Sequence, residues 1–188
     1  MKRILFTGIL FFMMIGLHAE ANTEIAPPVI KQVDEILVVG INSLISENYN
    51  LIGFMWERLL QSHENIGNIT DPNVGIGISY GFELIENAGN TNESLYYHLV
   101  GMPVSEVGAL PQGMTWYRIP AGIYAVFTHK GSLAGLSATY NHIFSEWIPQ
   151  AGYDYDPEKV DFEWYDSRFQ DNDENSEFDI YVPVKEKL

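Results

Sequence analysis

Between residues 50 and 62 the apolar side chains Leu51, Ile52, Met55, Leu59 and Leu60 recur at helical spacing, while Glu57, Arg58 and Gln61 gather on another face. The pattern predicts an amphipathic helix with one stripe turned to a core and one to water. Asn48 or Asn50 stands where a short amide oxygen can accept a hydrogen bond from a first-turn N–H. A second helix is predicted over residues 136–147, where Leu136, Tyr140, Ile143, Phe144 and Trp147 share a face and Pro149 and Gly152 end it.

Residues 35–41, 74–84, 95–102, 162–169 and 178–184 are rich in Ile, Val, Leu and aromatic side chains and read as strands. Residues 115–128 form a further strand, bent at Pro120-Ala121-Gly122, where proline removes a ladder donor and glycine tolerates a bulge. The polar stretches 86–93 and 170–177 read as hairpin loops. Residues 22–34 contain Pro27 and Pro28 and form an extended leader, because consecutive prolines hold the chain out of helix and donate no hydrogen bonds.

The order strand, helix, strand, loop, strand occurs twice, over residues 35–104 and again over 115–188. Tyr49-Asn50 is echoed by Tyr140-Asn141, and Pro103-Val104 by Pro183-Val184. A tandem repeat within one α+β domain, residues 35–188, accounts for both the order and the echoes. Its two strand-helix-strand-strand units form one antiparallel sheet.

Composition narrows the partner. Hydrophobic residues make up 46% of the chain and charged residues 19%, which favours a folded core over a disordered acidic chain. The formal net charge of -15 opposes a phosphate backbone and admits a cationic small molecule or a basic protein. There is no cysteine, so disulfides and thiolate chemistry are excluded. Lys2 and Arg3 precede an apolar run to Leu17, and Ala19-Glu20-Ala21 follows. These features predict a signal peptide over residues 1–21, cleaved after Ala21, with cleavage after Ala19 and a retained anchor as the other readings. The expected location is periplasmic or secreted, with no stable membrane insertion after cleavage.

The second half carries four specific blocks in order. The first runs from Pro120-Ala121-Gly122-Ile123-Tyr124 to Thr128-His129-Lys130-Gly131, and the second is Tyr140-Asn141 with Glu146-Trp147-Ile148-Pro149. Next comes Phe162-Glu163-Trp164-Tyr165-Asp166 with Arg168-Phe169, and last Asp179-Ile180-Tyr181-Val182-Pro183-Val184. With these blocks the chain resembles the gyrase-inhibitor-like (GyrI-like) superfamily, which includes the effector-binding domains of AraC-type and MerR-type transcription regulators. The first half matches it in element order alone. The resemblance implies two units side by side, helices on one face of the sheet and a ligand groove on the other. The expected export signal and the lack of length for a helix-turn-helix domain turn the expectation from transcriptional control toward ligand binding.

Strand alternation sets Phe162 and Trp164 against Glu163 and Tyr165, and Phe178, Ile180 and Val182 against Asp179 and Tyr181. Assigning the apolar sets to the helix-covered core leaves Glu163, Tyr165 and Tyr181 for the groove. The resemblance implies that Glu163 is the central acidic residue, because relatives that bind cationic drugs use a carboxylate among aromatic rings. The structural alternative pairs Glu163 with Arg118 or Arg168. Trp56, Trp116 and Tyr117 complete the set of predicted ligand-binding residues, aromatic side chains that give large contact area with a polar tip.

No catalytic residue, metal site or cofactor is predicted. His98 and His129 lie in no motif with a nucleophile or metal ligands, and the run 171–175 has Ser176 where a calcium loop needs glycine, so it reads as a turn. The expected function is binding of a small amphipathic or cationic molecule. A hydrolase using Glu163 as acid or base and an acidic protein-interaction module are the alternatives.

Overall fold

The computed structural model describes residues 25–46, 49–86, 92–171 and 173–187. The predicted signal peptide, Asn48 and the centre of the first hairpin loop lie outside the described residues. The strands are β1 (Val29–Val33), β2 (Ile36–Ser46), β3 (Gly75–Glu86), β4 (Asn92–Val104), β5 (Thr115–Ile119), β6 (Gly122–Lys130), β7 (Tyr153–Tyr155), β8 (Phe162–Tyr165) and β9 (Glu177–Glu186). The helices are α1 (Ile52–Ser62) and α2 (Leu136–Asn141), the second continuing through a π-helical segment, His142–Trp147, into a last turn, Ile148–Gln150. No helix among the described residues is long and apolar enough to cross a membrane.

Every pairing is antiparallel, and the strand order is β1-β6-β9-β8-β3-β4-β2-β5, with β7 on the far end of β9. The fold is thus the predicted α+β arrangement of two units, β2-α1-β3-β4 and β6-α2-β8-β9, meeting where β3 pairs with β8. Residues 115–128 bend as expected: β5 and β6 are separated by Pro120 and Ala121. The strand before each unit crosses to the other, β1 to β6 and β5 to β2, in one unbroken register. Val33 pairs with Gly122, and Ile36, three residues on, pairs with Ile119. A single bent two-stranded ribbon therefore joins both ends of the strand order and curls the sheet round on itself.

Curling decides which face is core. Val38, Ile76, Ile78, Leu99, Ile119, Tyr124, Val126 and Phe162, drawn from six strands, pack together on the face away from the helices. The other face carries two clusters. Met55 and Leu59 of α1 cover Val39, Ile41, Ile45, Val100 and Met102. The second helix covers Ala125, Phe127, Phe178, Ile180 and Val182, with Leu136, Tyr140, Ile143, Phe144 and Trp147 all turned inward as their spacing predicts.

Local chemistry agrees with the predicted ends in part. Leu51, not an asparagine, stands at the N-cap of α1 without a side-chain cap, and Asn50, one residue earlier, accepts from the Ile52 N–H through Oδ1 at 3.0 Å. Leu60, counted in the apolar stripe, is exposed. Pro149 does not end the second helix at Trp147. It sits in the first turn of the closing segment, where its missing N–H is not needed. The strand predicted over 162–169 stops at Tyr165, because Asp166 accepts from both the Arg168 backbone N–H and its guanidinium and folds the chain into a turn. Within 170–177, Asp173 Oδ1 accepts from the Asn175 N–H at 2.7 Å, a turn.

Candidate functional site

The alternation along β8 is the one predicted, but the sides are exchanged. Phe162 and Trp164 face the inside of the curled sheet, whereas Glu163 and Tyr165 face the helices. The reason is the ribbon, whose closure makes the face away from the helices a packed interior rather than an open groove. Tyr181 and Tyr117 fall on that interior side as well. Tyr181 stacks on Phe162 with centroids 4.5 Å apart, and Tyr117 lies 4.7 Å from Tyr80. Trp116 sits on edge strand β5, 42% exposed, with the Arg118 guanidinium 6.0 Å from its ring. Of the six predicted ligand-binding residues, the structure brings together Glu163, Tyr165 and Trp56.

These three meet at the seam between the units. Tyr165 donates its hydroxyl to Glu163 Oε2 at 2.6 Å, and Tyr140, from α2, donates to Oε1 at 3.1 Å. Trp56, from α1, places its ring edge-on to Tyr165 with centroids 5.3 Å apart and planes at 76°. Central strand β3 contributes two glycines beneath them. A Cβ at Gly75 would stand 2.7 Å from the Trp56 ring, and one at Gly77 would stand 3.1 Å from Glu163 Oε2. Absent side chains on β3 thus make the room that Trp56 and Glu163 occupy.

A bulge shapes the outer end of the seam. The β3–β4 register shifts between Tyr80 and Glu83, where Gly81 adopts φ 66°, a backbone conformation that favours glycine. Tyr80 stacks on Tyr97, yet Phe82 stacks on the neighbouring Tyr96 at 5.1 Å, on the side of the α1 cluster.

The electrostatics are one-sided. Burial pushes the Glu163 carboxyl above its ordinary range, outweighing the Tyr165 and Tyr140 hydrogen bonds that favour its charged form. Asp161, two residues earlier, is pushed up to about 6, chiefly by burial, and the Tyr140 hydroxyl lies between the two carboxyls. Neither predicted arginine reaches Glu163. Arg168 pairs with Asp166 and Asp179, and Arg118 with Glu35. Among the described residues Glu163 has phenol partners and no cationic one. No group of three or more His, Asp or Glu side chains among the described residues could hold a metal ion.

Tyr140, Gly77 and His98 belong to this site and were not among the predicted residues. Tyr140 was legible as an inward-facing helix position. His98 lies on the helix side of β4, with Nδ1 2.9 Å from Ser79 Oγ. Burial lowers its pKa to about 4, so the ring is neutral at ordinary pH. His129 lies away from the seam, bonded to Thr139 and to the Ser132 carbonyl.

Residues 29–184 match the family described as integron-associated effector binding protein. The chain belongs to that family. Its effector-binding fold is the GyrI-like one indicated by the four sequence blocks, and the family's domains bind small molecules. The Vibrio cholerae integron cassette protein superposes with a TM-score of 0.56 at 15% identity, covering 86% of this chain and 97% of the other. The C-terminal domain of EcmrR gives a TM-score of 0.61 at 15% identity, over 85% of this chain and 97% of the other. SAV2435, solved with tetraphenylphosphonium bound, gives 0.60 at 15% identity, over 85% and 94%. The transcriptional regulator BrlR of Pseudomonas aeruginosa is 35% identical over 149 residues, 78% of this chain. The chain spans about half, 51%, of that relative's length.

Proposed function

We propose that this effector-binding domain holds an amphipathic cation at the seam between its two units, with Glu163 as the counter-charge and Trp56, Tyr140 and Tyr165 as the aromatic walls. One observation carries the proposal: a deeply set carboxylate that has two phenol donors and no cationic partner among the described residues. A carboxylate in a low-dielectric site attracts a cation more strongly than one in water, and each ring face within reach adds about 0.5–2 kcal/mol. The tetraphenylphosphonium bound by SAV2435 is a cation of this class. The acidic net charge, -15, draws such ligands toward the surface.

Equilibrium dialysis of tetraphenylphosphonium against the full chain tests the site. Saturable binding that weakens at least about tenfold in Glu163→Gln supports it. Equal affinity in that variant rejects it.

Export belongs to the same proposal and is supported by the basic start, the apolar run and Ala19-Glu20-Ala21. Cell fractionation with N-terminal sequencing checks it. The expected mature start is Asn22, and an intact Met1 in the cytoplasmic fraction refutes export.

A hydrolytic use of the same carboxyl is favoured by its raised pKa beside two phenols, an arrangement suited to a general base. Product formed from electrophilic small molecules, and lost in Glu163→Gln, separates turnover from binding.

A further inference from the structure

His98 is 4% exposed, and its Nε2 is buried with no hydrogen-bond partner. The other ring nitrogen is held by Ser79 Oγ at 2.9 Å, which fixes the ring's orientation. Gly77 stands between the unpaired Nε2 and the carboxylate. A Cβ there would lie 3.1 Å from Glu163 Oε2, 3.6 Å from His98 Nε2 and 3.6 Å from Tyr165 Cε2. Because residue 77 has no side chain, a carboxylate oxygen and an unpaired imidazole nitrogen both approach the same point above its backbone, one from each side.

A neutral imidazole has one donor and one acceptor nitrogen, and the serine hydroxyl can take either role toward it. With Nδ1–H donating to Ser79 Oγ, Nε2 presents a lone pair to that point above Gly77. A protonated primary or secondary amine seated there gives one N–H to Glu163 Oε2 and another to His98 Nε2. A quaternary ammonium or phosphonium has no N–H and leaves Nε2 unpaired.

The direction of selectivity follows from desolvation. An N–H cation gives up more hydration than a quaternary one, so a site of rings and a single carboxylate favours the quaternary ligand. A second, pre-placed acceptor reverses that order, because a buried polar group left without a partner is costly. We infer that His98 and Gly77 form a polar subsite that selects protonated amines over quaternary cations of the same bulk. The inference rests on the cation site proposed above and names the ligand class that fits it.

The full chain is titrated with naphthylmethylammonium and with its N-trimethyl counterpart, using wild type, His98→Phe and Gly77→Ala. Wild type is expected to favour the primary amine about tenfold, the worth of one hydrogen bond to a charged group. In His98→Phe the preference disappears through loss of amine affinity, while the trimethyl cation stays within about twofold. Gly77→Ala keeps the imidazole and sets a methyl group against both the carboxylate oxygen and Nε2, so the same loss of preference is expected there, and this variant decides the matter if His98→Phe does not fold. A wild-type preference for the trimethyl cation, or an equal loss of both ligands in His98→Phe, overturns the subsite. If wild type binds neither cation, or if Glu163→Gln leaves both affinities unchanged, the cation site itself fails and the subsite falls with it.

Discussion

The Tyr165 hydroxyl donates to Glu163 Oε2 over 2.6 Å, although the two residues are near neighbours on one strand. They share a face of β8 because side chains two apart point the same way, and Trp56 from the other unit closes over the pair. The bond favours the charged carboxylate while burial opposes it, and burial prevails.

Cation binding should weaken in acid. Only the ionised Glu163 attracts a cation, and its pKa is raised, so affinity falls as pH drops through that raised value and levels off above it. Calorimetric titration with tetraphenylphosphonium from about pH 8 to about pH 4 checks this. A flat profile contradicts it.

Tyr165→Phe should shift that profile. Removing the hydroxyl takes away the larger of the two hydrogen bonds that favour the ionised carboxyl, so the Glu163 pKa rises further. The midpoint of cation binding then moves to higher pH. A readout of unfolding moves little in comparison, because the ring still stacks on Phe178 at 4.6 Å.

Asp161→Asn should stabilise the protein at neutral pH. The folded-state pKa of Asp161, about 6, lies above the ordinary 3.8, so this group's contribution is fully present below the lower value and lost as pH rises through the upper one. The variant carries no such charge. It should exceed wild type above about pH 6 by at most about 3 kcal/mol, less because solvent reaches part of the side chain, and converge with it near pH 4. Thermal melts of both proteins across that range test the convergence.

His98 acts with the opposite sign. Its folded-state pKa is about 4, below the ordinary 6.5, so its contribution is present above the higher value and lost as pH falls toward the lower. His98→Phe should therefore flatten the decline in wild-type stability between about pH 6.5 and 4, measured by urea unfolding.

Phe162→Ala provides a packing control. Phe162 is 1% exposed and contacts Tyr124 and Tyr181 inside the curled sheet. Its truncation should cost about 3–5 kcal/mol by urea unfolding. A loss under about 1 kcal/mol would mean that the interior is not packed as described.

Much of the fold was legible from local periodicity. Leu136, Tyr140, Ile143, Phe144 and Trp147 pack inward together because five apolar side chains at helical spacing have one face to bury. Pro120 marked the bend, since a proline cannot donate to the ladder. Strand β7 was missed, because Tyr153-Asp154-Tyr155 is too short to show a pattern and is held by pairing with β9. The π-helical segment left no trace either: its inward residues keep the spacing of an ordinary helix.

The site was legible in composition and only partly in place. Glu163, Tyr165 and Trp56 were singled out and do meet, while Tyr181 and Tyr117 went to the opposite side and Trp116 to an edge. Gly77 and His98 gave no signal in the chain, because an absent side chain and an unpaired nitrogen acquire meaning only from what faces them.

Sequence alone determined the two repeated units, the inward stripe of each helix, and the grouping of Glu163 with Tyr165 apart from Phe162 and Trp164. All of these follow from periodicities of a few residues that the backbone imposes on any chain. Tertiary structure alone decided which of those two groups meets the helices, because that depends on the crossing of β1 and β5 between units and on the closure their shared register produces. Alternation has a period but no direction, and only the curl of the whole sheet supplies an inside.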